Sequence, residues 1–452
     1  MNIILLSGGS GKRLWPLSNH SRSKQFLQLL TDENGIQESM VQRINRQIKS
    51  LDGVHKVIIA TNQSQVDPIR NQLSKEVELV IEPERRNTFP AILLSAAYLA
   101  YEKKIDLKEP IVILPVDPYV EMEYFHLLQT MEQIIQEGQT ELVLMGIQPT
   151  YPSQKYGYIQ LNQPITKDRK QLCYEVCAYH EKPSEEQAMK YISQGALWNA
   201  GVFGTTLGFL MSYLEQEVQA TSYEQVLESY ALLERISFDR KVVERCSSIS
   251  VIPYLHGWKD LGTWNTLTEE MDTTAIGAVV VDDHSCNSHI INELSIPMVV
   301  LGAKNMIVAA SPDGILISEK GSSSHMKPYV DLLDNRPMFE QRRWGEYKVL
   351  DYVTYEDGMK SLTKHLQMNP EERISYQSHG MREEVWTIVD GTGILVLNDV
   401  EEVVSRGKVI QIPKGMKHAL KAVTHLHFIE VQIGEDLVEE DIERYSYEWK
   451  CL

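Results

Sequence analysis

The first apolar run of the chain, residues 2–6, breaks at once into Ser7-Gly8-Gly9-Ser10-Gly11-Lys12-Arg13-Leu14-Trp15-Pro16. Glycines at a strand end let backbone N–H groups close on an anion, because no Cβ stands in the way. Lys12 and Arg13 come directly after, and Lys24 arrives in Arg22-Ser23-Lys24-Gln25-Phe26-Leu27. The spacing is not that of a Walker A loop, and Gly-x-Gly-x-x-Gly is absent, so it is not a dinucleotide fingerprint. A plain glycine-rich turn with solvated cations is the simpler alternative, and the length of the string disfavours it. The arrangement fits a triphosphate cradle in which Arg13 and Lys24 neutralise charge on a leaving pyrophosphate.

The next 140 or so residues carry the constraint further. Short β-rich runs at 2–6, 56–60, 78–81, 111–114 and 141–147 alternate with helical stretches at 38–49, 65–73 and 90–102. That order predicts an α/β fold, a Rossmann-like and mostly parallel sheet with helices on both faces. Ligands of such sheets bind beyond the carboxyl ends of the strands. Residues 275–330 differ. Their short β-like runs (278–281, 298–301, 306–309, 314–317) between polar turns predict a small all-β connector, β-helix-like. Beyond Asp334-Asn335-Arg336-Pro337, and above all from Trp344, many short strands are marked off by Asp390-Gly391, Asn398-Asp399, Arg406-Gly407 and Pro413-Lys414-Gly415, as in a small β-barrel or jelly roll. The chain of 452 residues is too long for one core. Its expected domains are 1–272, 273–335 and 336–452.

With Lys+Arg 44 against Asp+Glu 62, the formal charge is −18. This argues against a nucleic-acid binder or an anionic-membrane binder. It leaves room for phosphates, because Lys12, Arg13, Arg22, Lys24, Arg85, Arg86 and Lys182 concentrate positive charge on a few loops. The short N-terminal apolar run suits no secretory signal, and no run approaches the ~18 apolar residues of a membrane span. Five cysteines, Cys173, Cys177, Cys246, Cys286 and Cys451, suit reduced thiols and a cytoplasmic location. Cys173 and Cys177 lack a second Cys/His pair and make a poor metal site.

Gly8-Gly9-Ser10-Gly11-Lys12-Arg13-Leu14-Trp15-Pro16-Leu17-Ser18 with Lys24-Gln25-Phe26-Leu27 resembles the signature of nucleotidyltransferases acting on sugar 1-phosphates. Within them it is most similar to the mannose-1-phosphate guanylyltransferase family, whose long bacterial form carries a C-terminal mannose-6-phosphate isomerase domain. The resemblance runs nearly the whole chain. It implies GTP and a sugar 1-phosphate as substrates. Leu6, Gly8, Gly9, Gly11, Lys12, Glu82, Arg86, Asn87 and Thr88 would lie at the nucleotide, and Gly157, Glu181 and Asn199 at the sugar. Arg13, Lys24, Asp117, Lys182 and Asp260 would be catalytic. Asp117, in Leu114-Pro115-Val116-Asp117, and Asp260, in Gly257-Trp258-Lys259-Asp260, would hold Mg²⁺. The residue chemistry agrees, since Mg²⁺ prefers one or two carboxylates plus phosphate oxygens. Taken singly, the two aspartates also suit turns or caps, and Glu181–Lys182 an exposed ion pair. Their joint order favours the functional reading. The chain departs from the family at Ser23 (usually Pro), Pro118 (usually His), Arg85 (usually Gly), Ala200 (usually Ser) and Gln154-Lys155 (usually Thr-Gly). No charged catalytic group is lost, and the sugar and base are the specificities put in question.

In the last domain, Gln377-Ser378-His379, Glu384 and Gly391 are succeeded by Gly407, Pro413, Gly415 and His418, which resembles the paired motifs of a cupin barrel. Gln377 and His379, two apart on a strand, point the same way. With Glu384 and His418 they form a mixed N/O set that suits Zn²⁺, Co²⁺, Mn²⁺ or Fe²⁺. Similarity to the fused isomerase adds Lys364, Arg382 and Arg444. Against it, histidines usual around this motif are replaced by Gly380, Met381 and Val385, and the usual charged tail by Tyr445-Ser446-Tyr447-Glu448-Trp449. An active isomerase and a binding or structural cupin both stay open. Three readings compete: a GDP-mannose-forming enzyme, a nucleotidyltransferase for another sugar 1-phosphate such as a heptose or glucose, and a nucleotide-sugar-binding regulator. The first is preferred because Arg13, Lys24 and Asp117 are all present. A homo-oligomer through the connector or cupin edges is expected by analogy alone.

Overall fold

Strand β1 (Asn2–Ser7) is apolar on both sides, as a strand with helices above and below it must be. In the computed structural model, which describes residues 1–9, 12–19, 21–74, 77–163, 173–333 and 336–449 apart from the side chain of Lys12, β1 lies inside a nine-stranded sheet. The others are β2 (Lys56–Asn62), β3 (Glu78–Glu82), β4 (Pro110–Pro115), β5 (Leu142–Ile147), β6 (Gly157–Leu161), β7 (Tyr174–Glu181), β8 (Leu197–Thr206) and β9 (Ile249–Tyr254). Their order is β3-β2-β1-β4-β8-β5-β9-β7-β6. Alternate residues serve opposite cores. Ile4 and Ile58 pack with Phe89, Leu93 and Leu94 of the buried helix Thr88–Ala97. Ile3, Leu5 and Ile59 pack with Val41 and Ile44 of helix Met40–Lys49 and with Tyr124 and Leu128 of helix Met122–Glu137.

The parallel arrangement expected from the β-α alternation covers β3-β2-β1-β4 and the pair β5–β9. Elsewhere the sheet is mixed, because β8 runs antiparallel to β4 and β5, and β7 antiparallel to β9 and β6. These intruding strands carry polar and glycine positions such as Gly157, Glu175 and Asn199, so they lack the clean apolar run of a buried parallel strand. The register pairs Leu6 of β1 with Pro115 of β4. The glycine loop after β1 and Asp117 after β4 therefore leave the sheet side by side, at its carboxyl edge.

The contacts divide the chain into two units: Met1–Arg13 with Ser23–Asp272, and Leu14–Arg22 with Thr273–Leu452. In the second, Ala275–Gly277, His289–Asn292 and Met306–Ser311 stack in parallel as short rungs, and Gly314–Glu319 closes the sheet antiparallel. Val279–Val281 and Met298–Val300 form a second parallel pair. Two antiparallel sheets of six and five strands come next, from Phe339 to Arg444. The strand Leu426–Gly434 alternates strictly between buried and half-buried residues, and Leu362, Trp386, Ile388 and Phe428 fill the core. Asp334, Asn335 and Cys451 lie outside the described residues.

Segment Leu14–Arg22 belongs to this unit through specific contacts. Asn19 Nδ2 donates to Asp313 Oδ2 at 2.6 Å, and Ser311 Oγ to the Pro16 carbonyl at 2.7 Å. Arg22 makes a forked ion pair with Glu293 at 2.7 and 3.0 Å, its guanidinium 5.4 Å from the centre of the Phe339 ring. Among the described residues no helix is long and apolar enough to cross a membrane.

Candidate active site

A cleft of about 370 Å³ opens at the carboxyl edge of the nine-stranded sheet. Leu6, Gly8, Gly9, Glu82, Asn87 and Thr88 line it, with Lys24 and Asp117 at its far end. Gly11 and the side chain of Lys12 lie outside the described residues, and Arg13 is exposed. A buried amide supports the loop from below. Gln65 Nε2 donates to the Gly9 carbonyl at 3.1 Å and to Ser23 Oγ at 3.0 Å, while Gln65 Oε1 accepts from Ser7, Gln25 and Thr61. Burial pushes the Glu82 carboxyl up, against the hydrogen bond it accepts from Tyr230 at 2.7 Å. Asn87 sits at φ 77° and ψ −176°, a region normally left to glycine, and its side chain caps helix Thr88–Ala97 through the Thr88 N–H at 2.9 Å.

Arg86, placed at the nucleotide by the sequence, instead donates to the Leu233 carbonyl at 3.1 Å and pairs with Glu84 at 2.7 Å. Its neighbour Arg85 lines the cleft.

Asp117 and Asp260 are far apart in sequence and meet through a two-stranded ladder. Pro118–Val120 pairs antiparallel with Trp258–Asp260, setting Asp260 opposite Pro118. Lys24 Nζ lies 2.8 Å from Asp117 and 3.4 Å from Asp260. Burial works against the charge of Lys24, and the two carboxylates more than compensate, holding its ammonium above the ordinary value. Burial likewise opposes ionisation of Asp117, and Lys24 reverses that effect, so the carboxyl stays below its usual range. Two carboxylates that already converge on one positive charge are a donor set that suits Mg²⁺.

The cleft continues past Asp117 into a second lobe of about 220 Å³, lined by Tyr156, Gly157, Glu181, Lys182, Asn199, Trp258 and Asp260. The two lobes share Pro115, Asp117, Gly201 and Asp239. A Cβ on Gly157 would fall 2.1 Å from the Tyr179 hydroxyl, so only glycine lets that phenol approach. The Tyr156 ring packs 4.9 Å from Trp198 and 5.4 Å from Trp258, walling the lobe with aromatics. Lys182, at φ 50°, pairs with Glu181 at 2.5 Å. The ladder of β8 with β5 slips between Asn199 and Phe203, where Gly201 takes φ 71°. That irregularity re-aims Asn199, whose amide donates to Asp239 Oδ1 at 2.7 Å and to the Tyr179 hydroxyl at 3.1 Å.

In the second unit, His379, Glu384 and His418 turn their ligand atoms toward one another within 4.8 Å, all three buried. His379 Nδ1 lies 2.5 Å from the Asp441 carbonyl and His418 Nδ1 3.0 Å from the Met416 carbonyl. A carbonyl can only accept, so both rings carry their proton on Nδ1 and present an Nε2 lone pair inward. Burial lowers the His418 pKa and keeps that lone pair free. His418 Nε2 is a buried atom with no hydrogen-bond partner among the described residues, and a metal ion satisfies such an atom. The set fits a divalent transition metal. Gln377 Nε2 lies 3.5 Å from His379 Nε2. Arg382 donates to Glu384 at 2.9 Å, and Lys364 pairs with Glu439 at 2.8 Å. The Arg444 backbone pairs with Gln377 while its side chain is exposed, apart from this buried group.

Residues 2–276 match the family model for nucleotidyl transferase, and residues 336–447 that for the mannose-6-phosphate isomerase C-terminal domain. A mannose-1-phosphate guanylyltransferase of Salmonella montevideo is 30% identical over 98% of both chains. The alginate biosynthesis protein AlgA of Pseudomonas aeruginosa is 29% identical over 98% of this chain and 95% of that one. The chain belongs to the mannose-1-phosphate guanylyltransferase family. A solved structure from Thermus thermophilus, described as a mannose-1-phosphate geranyltransferase, superposes at TM-score 0.59 with 27% identity, covering 74% of this chain and 99% of that one. The full-length match makes the chain a nucleotidyltransferase of the form fused to an isomerase C-terminal domain.

Membership in this family does not by itself point to every residue of the cleft. Gln65 and Asp239 escape the sequence reading. Gln65 lies in a polar Asn-Gln-Ser-Gln string that reads as a helix start. Asp239 lies in Ser237-Phe238-Asp239-Arg240-Lys241, a charged string with no motif to separate it from an exposed turn.

Proposed function

We propose that the cleft transfers a guanylyl group from GTP to mannose 1-phosphate, giving GDP-mannose and pyrophosphate. The observation that carries the reading is the meeting of Asp117, Asp260 and Lys24 where the two lobes join. The glycine loop and Arg13 hold the β- and γ-phosphates, and the lobe lined by Glu82, Asn87 and Thr88 holds the nucleoside. Lys182 steers the sugar phosphate from the opposite side. A phosphate oxygen of the sugar then attacks the α-phosphorus in line, and the bond to the β-phosphate oxygen breaks. Asp117 and Asp260 would hold Mg²⁺, which would supply charge neutralisation at the α-phosphate. Arg13 and Lys24 stabilise the charge that accumulates on the leaving pyrophosphate.

A panel of nucleoside triphosphates against sugar 1-phosphates, with Mg²⁺ and pyrophosphate release as the readout, tests this. GTP with mannose 1-phosphate is expected to be the best pair, and Asp117→Ala and Asp260→Ala to abolish turnover in folded protein. No pyrophosphate from any pair removes the enzymatic reading, and a different best sugar transfers it to another sugar 1-phosphate.

For the C-terminal barrel, the same proposal gives His379, Glu384, His418 and Gln377 a divalent transition metal and interconversion of mannose 6-phosphate and fructose 6-phosphate. The convergent Nε2 lone pairs support it. Elemental analysis is expected to find one such metal per chain, lost in His418→Ala. Metal retention without isomerisation would make the barrel a binding module.

A further inference from the structure

The convergent group of the barrel is shut off from solvent: His379 and Glu384 are 2% exposed and His418 0%. An ion can reach it only if part of the chain moves. The stretch best suited to move joins strand Leu426–Gly434 to the short strand Glu443–Arg444. Both flanking strands are paired, Gly434 with Lys360 and Arg382, and Glu443 with Ser378. Residues 435–442 between them belong to no strand or helix. Segments without a ladder open locally at far lower cost than the whole domain unfolds. Specific contacts close this one onto the barrel. The Val438 carbonyl accepts from Arg382 Nη1 at 3.0 Å, and the Asp441 carbonyl from His379 Nδ1 at 2.5 Å. The Asp441 carboxylate accepts from the N–H groups of Gly380 and Met381 at 2.9 and 3.0 Å. Glu439 pairs with Lys364 at 2.8 Å and with Arg336 at 3.1 Å. On the other side, Leu437, Val438, Glu439 and Glu440 line a cavity of about 830 Å³, where Val438 and Glu440 are exposed.

We infer that residues 435–442 are a lid, hinged at its two paired ends, that opens toward this cavity to admit and release a divalent metal ion. Glu439 is the latch. When it lets go, Lys364 keeps a second carboxylate, Glu430 at 4.0 Å, so opening strands no buried ammonium. Arg382 and His379 couple the lid to the site. The Arg382 guanidinium serves Glu384 at 2.9 Å and the Val438 carbonyl together. The His379 ring turns Nδ1 to the lid and Nε2 to the other ligands. Closing the lid therefore fixes two groups of the site, and an ion that fixes the same groups favours the closed form. The inference rests on the proposed reading of His379, Glu384 and His418 as metal ligands.

The test compares full-length wild type with Glu439→Gln, which leaves every residue around the ion in place. Co²⁺ is the probe: its uptake by metal-free protein and its release into excess EDTA are followed by visible absorption. A lid limits both directions, so Glu439→Gln is expected to speed uptake and release at least tenfold each, with the equilibrium affinity changed less than threefold. Arg336→Gln removes the outer partner of the same latch and is expected to act in the same direction, which keeps the test open if Glu439→Gln does not fold. Hydrogen exchange at the amides of residues 437–442 is expected to slow at least tenfold when Co²⁺ binds. Release that speeds up without uptake means a weakened site and overturns the lid, as do unchanged rates in both variants; the metal reading survives either result. Wild-type protein that takes up no Co²⁺ overturns both.

Discussion

A carboxyl in a cleft is defined by what surrounds it, and Asp239 has an unusual set of neighbours. Burial, and then the charge of Glu181, push its pKa up to about 6, against the hydrogen bond from Tyr179 and the weaker pull of Lys182. The group is therefore protonated below that value and ionised above it, and only the ionised form has its full capacity to accept. The affinity for sugar 1-phosphate is expected to rise as pH climbs through about 6 and to level off above it. Asp239→Asn is expected to flatten that step. Initial-rate KM measurements across pH 5 to 8, with GTP saturating, check both. The effect on folding has the opposite sign. The unfolded chain loses this proton near pH ~4, so the stability that the raised pKa contributes is complete below that value and lost as pH rises through about 6. None of this can be read from Ser-Phe-Asp-Arg-Lys, because the shift comes from burial and from Tyr179, Glu181 and Lys182, some sixty residues earlier on and just after strand Tyr174–Glu181. Asp117, by contrast, is legible, since it directly follows an apolar strand whose end must lie at the ligand edge. The choice between Arg85 and Arg86 is not, because adjacent residues share one motif and differ only in the direction of a turn.

At the level of single elements, helix Thr88–Ala97 shows how the site and the stability of the fold compete. It is buried all round, so packing rather than propensity holds it in place. Its cap, Asn87, adopts a backbone conformation that costs a non-glycine residue on the order of 1–3 kcal/mol. Replacing an Asn cap by glycine costs only a few tenths of a kcal/mol. Asn87→Gly is therefore expected to raise stability by about 1 kcal/mol, read as an increase in the denaturation midpoint. The same change removes a side chain that lines the cleft, so on the proposed reading KM for GTP should rise. A fall in stability would show that the cap outweighs the strain. The strands differ in how plainly they announce themselves. Lys56–Asn62 and Leu142–Ile147 stand out as apolar runs. The pair Pro118–Val120 and Trp258–Asp260 does not, although it brings the second aspartate to the first. Three-residue strands are too short for any periodicity to emerge, and their pairing is fixed by the loops that enclose them.

Across the whole molecule, the contacts give a sheet-based unit and a β-rich unit, and the segment Leu14–Arg22, which precedes most of the first unit in sequence, packs in the second. A chain stopped after Asp272 would leave Asn19, Arg22 and the Pro16 carbonyl without Asp313, Glu293 and Ser311. Such a chain is expected to be poorly soluble and to lose guanylyltransferase activity. A chain stopped after Leu333 keeps those three partners and should retain most of it. Equal activity from the two truncations would show that the anchoring of this segment is dispensable.

The same segment also limits how such a protein can change over generations. Asn19 and Asp313 are 294 residues apart, and Arg22 and Glu293 are 271 apart, yet each pair shares a hydrogen bond. A recombination event that joined the first half of one gene to the second half of another would separate both pairs at once. Lineages descended from intact exchanges should therefore carry matched residues at 19 and 313, and at 22 and 293. The two halves of this chain are not modules to be traded freely, because nine residues from one are inherited as part of the other.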